Sequence, residues 1–511
     1  MVASVIEVFA KVKRTSNLSS KFQMNRSTLA KLFLVFAVFS LKITPTPSKK
    51  LNVLFVMFDD FRPAISGYGD KLSKTPNLDW FMQKSFHFTN AYSQQSLCAP
   101  SRNSLLTGRR PDSTHLYDFY NYWRNFPEVG NFTTLPEYFK NHDYLTHSVG
   151  KIFHPGISSN FSDDFPYICP DGTGYLRKNL ICPVKLKTQP MKTLPDIESA
   201  KEAVRFLSKP KEKPFFLSVG FFKPHIPFRF PKYFLNKFNK DDFKNYTQDI
   251  FKPLDMPHVA WNPYMDIRKR DDFKNLNISF PYGPVPEYQR ISIRQAYYAS
   301  VSYVDDLFGY IMKNVNFNDT IVLATSDHGW SLGEHAEWAK YSNFDVALKV
   351  PLIVYSPEFK LDSPKKVENI VELLDIFPTL ADLAHLSPLK KCTRKAEKTC
   401  GEGNSLYSLL QSGNSKYAKN FALSQFPRPS EFPKRESDKP RLKHIKIMGY
   451  SIRTTYFRYT LWIKFNHKSF TKDWNYVYGE EMYDHRADKD EEHNLVGNRK
   501  ISILELSLGE S

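Results

Sequence analysis

LNVLFVMFDD, residues 51–60, is an apolar run of strand length that ends on two adjacent aspartates. Apolar residues at every position, rather than every second one, belong to a strand covered on both faces, as in a parallel sheet. In such sheets the carboxyl ends of the strands carry the functional groups. Further strands are predicted at LTHSVG (145–150), PFFLSVGF (214–221), TIVLATSD (320–327) and VPLIVYS (350–356), with helices at 197–209 and 294–315. The alternation predicts an α/β fold, a large mainly parallel sheet sandwiched by helices. After about residue 380 the composition shifts, and KIMGYSIRTTYFRYTLWIKF at 446–465 alternates like an antiparallel hairpin. The expected organisation is therefore an amino-terminal extension and leader over 1–47, a catalytic domain over 48–385 and a smaller C-terminal α+β subdomain with an antiparallel sheet over 386–511. The Pro- and aromatic-rich segment 223–290 reads as ordered loops roofing a site.

With 41% hydrophobic and 24% charged residues, the 511-residue chain has the composition of an ordered globular protein and not of a disordered one. The formal net charge of +18 implies a field that attracts polyanions. Nucleic acid is the weakest candidate, because the basic residues are scattered and no nucleic-acid-binding motif stands out. Residues 29–41 (LAKLFLVFAVFSL) form a short apolar run after Arg26, read as the core of a signal peptide. It is short for a membrane span, so no stable span is expected, although a signal anchor is the other reading. A leader starting at Met24 rather than Met1 has the usual proportions. Sequons at Asn131, Asn160, Asn245, Asn277 and Asn318 fit a glycosylated lumenal product.

The five cysteines form two close pairs, Cys169 with Cys182 and Cys392 with Cys400, expected as disulfides, and leave Cys98 over. Its surroundings are SLCAPSRNSLLTGRR, residues 96–110. Taken alone, Cys98 reads as a buried thiol at a helix start capped by Ser101. The aspartates change that reading. Asp59-Asp60 at one strand end and Asp327-His328 at another offer the anionic oxygens that a hard divalent cation needs, whereas an isolated Asp pair could as well cap a helix.

The C-A-P-S-R segment followed by L-T-G-R resembles the signature of the sulfatases, a family with an alkaline phosphatase-like fold. GKIFHPG (150–156), FKPHIPF (222–228) and GEHAEWAKYSNFD (333–345) resemble the iduronate 2-sulfatase family in particular. The similarity continues through NISFPYGPVP and SDKPRLKHIKIMGYSIRT and covers nearly everything after residue 50. Departures are the basic amino-terminal extension, a short segment near 357–370 and the tail after 465.

The resemblance implies that Cys98 is oxidised to formylglycine by a formylglycine-generating enzyme. It implies one calcium ion held by Asp59, Asp60, Asp327, His328 and the modified residue 98. The hydrated aldehyde would attack sulfur with one hydroxyl, and its second hydroxyl would then expel sulfate. Arg102 would stabilise the hydrate, Lys151 and Lys340 would clamp the sulfate, and His154 and His225 would move protons, with His225 nearer the leaving oxygen. Trp330 would wall the sugar pocket, or else be a core residue. Because histidine titrates near pH 6.5, an acidic lumen would keep one imidazole charged. The expected activity is removal of the 2-sulfate from non-reducing-end L-iduronate in heparan and dermatan sulfate, in the lysosome or after secretion. The alternatives are a sulfatase of other sugar or aryl sulfate specificity, and an inactive relative that binds sulfated glycans.

Overall fold

Asn52–Asp59 forms the central strand β1, and its side chains divide between two cores. Leu54, Val56 and Phe58 join one apolar cluster, and Val53, Phe55 and Met57 join the other. That division is the physical meaning of the unbroken apolar run, since successive strand side chains point to opposite faces and here neither face meets water. The computed structural model describes residues 50–126, 129–154, 179–244, 250–394, 397–413 and 419–497. The leader at 29–41, Asn160, Cys169 and Asn245 lie outside the described residues.

The other strands are β2 (Phe86–Tyr92), β3 (Leu145–Gly150), β4 (Ile181–Val184), β5 (Phe215–Pro224), β6 (Phe228–Pro231), β7 (Thr320–Ser326), β8 (Ser331–Leu332), β9 (Trp338–Ala339), β10 (Lys349–Tyr355), β11 (Lys365–Glu372), β12 (Phe421–Arg428), β13 (Ile447–Thr454), β14 (Phe457–Asn466) and β15 (Thr471–Asp484). Seven of them make one sheet in the order β11-β2-β10-β7-β1-β5-β3. β3, β5, β1 and β7 run parallel. β10 runs antiparallel to both β2 and β7, so the predicted strand at 350–356 exists but is reversed. Four helices position the rest: α1 (Cys98–Thr107), α2 (Pro195–Leu207), α3 (Glu287–Met312) and α4 (Ile376–Leu383). Val304, Phe308 and Ile311 of α3 lie in the cluster of Leu54, Val56 and Phe58, whereas Leu105 and Leu106 of α1 and Phe377 and Leu380 of α4 lie in that of Val53, Phe55 and Met57. The sheet is therefore covered by helices on both faces.

β12 to β15 form a second, wholly antiparallel sheet in sequence order. The predicted hairpin is its β13–β14 pair. Cys392 and Cys400 are disulfide-bonded as expected, and Cys182 is disulfide-bonded as well, its expected partner being outside the described residues. Among the described residues no helix is long and apolar enough to cross a membrane.

Inside the second sheet Glu481 of β15 is buried and accepts hydrogen bonds from Trp462 Nε1 at 2.7 Å and Tyr483 Oη at 3.0 Å. Burial pushes its carboxyl up to about 7. A carboxyl raised in the folded state stabilises at acid pH, and that contribution is lost as pH rises from the unfolded value, about 4.3, through the folded one. Relative to Glu481→Gln, the wild-type chain should therefore lose roughly 2 to 3 kcal/mol of stability between about pH 4.5 and 7. Denaturant melts of both proteins across pH 4 to 8 measure this; a pH-independent difference would show that Glu481 does not retain its proton.

Candidate active site

The carboxyl ends of β1 and β7 lie side by side, with Met57 opposite Thr325 and Phe58 opposite Ser326. Asp59-Asp60 and Asp327-His328 therefore emerge together, all four fully buried. Asp60 turns through the left-handed region at φ 60°, a conformation that aspartate tolerates better than most residues, and its amide donates to Asp327 Oδ1 at 3.1 Å.

α1 enters from the other side and begins at Cys98. The thiol lies 3.4 Å from Asp59 Oδ1, 3.4 Å from His328 Nε2 and 2.8 Å from Lys340 Nζ. Ser101 does not cap this helix; its hydroxyl donates to the Asp327 carbonyl. One turn into the helix, Arg102 sends Nε to Asp327 Oδ2 at 2.9 Å and Nη2 to within 3.5 Å of Asp59 Oδ1.

Lys151 follows β3 and reaches Asp59 Oδ2 at 2.5 Å. Its backbone is brought in by two glycines: a Cβ on Gly220 would lie 2.0 Å from the Lys151 carbonyl oxygen, and one on Gly150, at φ +70°, would lie 2.1 Å from that of Gly220. Lys340 extends from the loop after β9 to Asp60 Oδ1 at 2.6 Å. The chain from His335 to Tyr341 is strained, with His335, Ala336, Ala339 and Tyr341 all at positive φ, the kind of cost that surrounding structure must hold in place. Asn262 does so, its amide donating to the carbonyls of Trp338 and Lys340.

His225 lies at the rim, partly exposed, with Nδ1 2.5 Å from the Ile226 carbonyl oxygen and Nε2 3.9 Å from Asp60 Oδ2. His154 is also at the rim, its ring 4.7 Å from that of Phe119. Every residue singled out from sequence for metal or sulfate thus converges here. Trp330 differs: it is sealed in the core beside Phe228, and Lys340 Nζ stands 5.9 Å from its ring. It backs the lysine and offers no open face, in keeping with the core reading. Sequence reasoning missed Asn262, for which a lone Asn gives no signal. It also missed Phe119 and Lys439; the Lys439 Nζ lies 5.8 Å from the Phe119 ring and pairs with Asp266.

Burial raises the Asp59 carboxyl, but Lys151 above all, with Arg102 and Lys340, overcomes it and holds the group well below the usual range. Asp60 goes the other way: burial, reinforced by Asp59 and Asp327 and only partly opposed by Lys340, pushes it up to about 8. Burial likewise keeps the Cys98 thiol well above its ordinary value, so the thiol itself is a poor nucleophile. Burial and the cations Lys151 and Arg102 lower His154 to about 2, and burial lowers His225 well below its normal value. Both imidazoles are therefore neutral at mildly acidic pH in this arrangement, contrary to the expectation of a charged one; a bound sulfate ester, being an anion, acts in the opposite direction.

The donor set fits a divalent cation. Ligand atoms of Asp59, Cys98, Asp327 and His328 all lie within 4.8 Å of one another. Burial lowers His328 to about 4, and its Nδ1 is 2.9 Å from the Gly329 carbonyl oxygen, which leaves a neutral imidazole with Nε2 as the inward lone pair. A cation here would also oppose the burial and the neighbouring like charges that keep Asp60 protonated.

The chain belongs to the sulfatase family, whose family model, described as Sulfatase, matches residues 51–386; the chain is a sulfuric ester hydrolase, and the family implies a metal ion and a formylglycine made from cysteine. Within that family it belongs with the iduronate 2-sulfatases. It is 44% identical to Iduronate 2-sulfatase of Mus musculus over 90% of this chain and 93% of that protein, and 44% identical to that of Homo sapiens over 88% and 91%. Among solved structures, a phosphonate monoester hydrolase of Agrobacterium radiobacter aligns with TM-score 0.64 at 20% identity over 90% of this chain and 94% of its own. A 2-O GAG sulfatase aligns with TM-score 0.61 at 20% identity over 90% of each chain. At those identities the two structures speak for the fold alone.

Asn262→Ala should release the strained loop that carries Lys340. The expected result is a fall in kcat/KM for sulfate ester hydrolysis of about tenfold to a hundredfold, with a loss of about 1 to 3 kcal/mol in stability. Steady-state kinetics beside thermal melts test this; unchanged kinetics would mean that the loop holds its shape without Asn262.

Proposed function

We propose that the protein is an exo-acting, calcium-dependent sulfatase that removes the 2-sulfate from non-reducing-end L-iduronate in heparan and dermatan sulfate. The observation that carries the chemistry is the meeting of Cys98, Asp59, His328 and Lys340 in one buried cluster at two strand ends. The specificity is supported by 44% identity to iduronate 2-sulfatases along about nine-tenths of the chain, and the net charge of +18 favours a polyanionic substrate.

Calcium would be held by Asp59, Asp60, Asp327 and His328 together with residue 98, and would supply charge withdrawal from the sulfate. Formylglycine at residue 98, made by a formylglycine-generating enzyme, would supply the nucleophilic oxygen and, through its second hydroxyl, the means of releasing sulfate. The chain's own side chains do the rest. Lys340 and Lys151 neutralise sulfate oxygens from two sides, which lowers the barrier for attack on an anion. Arg102 fixes Asp59 and Asp327 and borders residue 98. His225, partly exposed and facing Asp60, is placed to take up a proton when the anionic ester binds and to pass it to the departing sugar oxygen, while His154, held neutral by burial beside Lys151 and Arg102, is placed to accept one.

The same reading makes the product lysosomal, delivered through the secretory pathway, with secretion as the alternative. Asn131, Asn277 and Asn318 are exposed and open to glycosylation. It also places the domain boundary near residue 385, just after α4, and this is supported by the family match ending at residue 386.

The test is sulfate release from a disaccharide with terminal 2-sulfated iduronate, alongside glucosamine sulfate and aryl sulfate controls. Wild-type protein from a host that makes formylglycine is expected to prefer the iduronate substrate, and Cys98→Ser, which lacks the second hydroxyl, should lose turnover by at least about 10³-fold. Chelation should abolish activity and calcium restore it better than magnesium, given the many-oxygen site. Activity on the other esters alone would overturn the iduronate assignment, and unmodified Cys98 in active protein would overturn the formylglycine assignment.

A further inference from the structure

The buried carboxylate of Asp118 lies just outside the catalytic cluster and gathers two segments that are far apart in sequence. Its oxygens accept from the amides of Tyr120 at 2.9 Å and Asn121 at 3.0 Å, from the Asn121 side chain at 2.8 Å, and from the Leu442 amide at 2.7 Å. The first segment carries Phe119, whose ring covers His154 at the rim. The second carries Lys439, Arg441 and Lys443.

Where the two meet, the Arg441 guanidinium lies 4.4 Å from the ring centroid of the exposed Tyr120. Arg441 and Lys443 are themselves exposed, and no acidic side chain pairs with Arg441 among the described residues. A guanidinium stacked on an aromatic ring keeps its N–H edge free and loses little further entropy when it binds an oxyanion in the ring-parallel plane. Lys439 stands between this pair and the catalytic rim, its Nζ 5.8 Å from the Phe119 ring. Lys439, paired with Asp266, and Arg441 thus lie over Phe119 and Tyr120, two successive residues of the segment that reaches the His154 rim.

We infer that Arg441, held over the Tyr120 ring and aided by Lys443, forms a subsite for a sulfate group on the amino sugar that follows the hydrolysed residue in a longer glycosaminoglycan. This rests on the glycosaminoglycan reading above. The subsite lies outside the groups that perform hydrolysis, so it acts on binding of the chain and not on the chemical step. Its ligand is an oxyanion presented on a sugar, which both Arg441 geometry and the field of the protein favour.

The experiment compares a sulfated tetrasaccharide ending in 2-sulfated iduronate with a fluorogenic aryl glycoside of the same terminal sugar, using the full chain with formylglycine formed. For the tetrasaccharide, Arg441→Ala should raise KM about threefold to tenfold with kcat unchanged, and Tyr120→Ala should do the same by freeing the guanidinium. For the aryl glycoside neither variant should change KM or kcat, and raised salt should narrow the tetrasaccharide difference between wild type and Arg441→Ala. Equal effects of Arg441→Ala on both substrates, or none on the tetrasaccharide, would overturn the subsite. Failure of the wild type to act on either substrate would instead overturn the substrate reading on which it rests.

Discussion

The Arg102 guanidinium is the contact on which the site's geometry depends. It joins Asp327 at 2.9 Å and approaches Asp59 at 3.5 Å, and it donates to the backbone carbonyls of Phe58, Lys151 and Ile152. One planar cation, fully buried, thus fixes the ends of β1, β3 and β7 relative to α1. A lysine could not do this, because the fork of N–H groups in fixed directions is what reaches several acceptors at once. Desolvating such a group is costly, and only a set of acceptors as complete as this one offsets it.

Around that anchor the charges are arranged for a purpose other than stability. Asp59, Asp60 and Asp327 face Arg102, Lys151 and Lys340 in a space with no water contact, a combination that apolar residues would fill at lower free energy. With Asp60 holding its proton the three cations already outnumber the carboxylate charges, and a divalent cation would widen that excess, so that an anionic ester enters a field prepared for it. The thiol of Cys98, kept protonated by burial, contributes no reactivity to this field. The surroundings make sense for a different group at the same position, and they are built before that group forms.

The legibility of these features in the sequence follows from how local each signal is. β1 was readable because its burial on both faces is written as one uninterrupted apolar run, and the metal-facing carboxylates because they stand at the ends of such runs. β2 and β11 were not. β2 has Thr89 and Asn90 in its middle, and β11 is half exposed with Lys365, Lys366 and Glu368 outward, so neither carries an apolar period. The direction of β10 is set by its neighbours and not by its own residues. Trp330 and the two rim histidines show the other limit: residue type identified them as candidates, but exposure and charge state depend on what packs against them from remote segments.

The loop that bears Lys340 joins the two sheets energetically. Arg428 of β12 donates to the carbonyls of Tyr341, Val259, Ala260 and Ser437, so a residue of the second sheet holds the backbone immediately after Lys340. The Asn262 side chain holds the backbone of Lys340 itself, and Glu337 Oε1 in turn accepts from the backbone N–H of Asn262 at 2.5 Å. The strain at Ala339 and Tyr341 is thereby balanced by groups from three separate stretches of chain. Loss of the second sheet would leave the sulfate clamp with its side chain intact and its backbone unsupported. The second sheet is in this sense part of the active site, although none of its strands supplies a ligand.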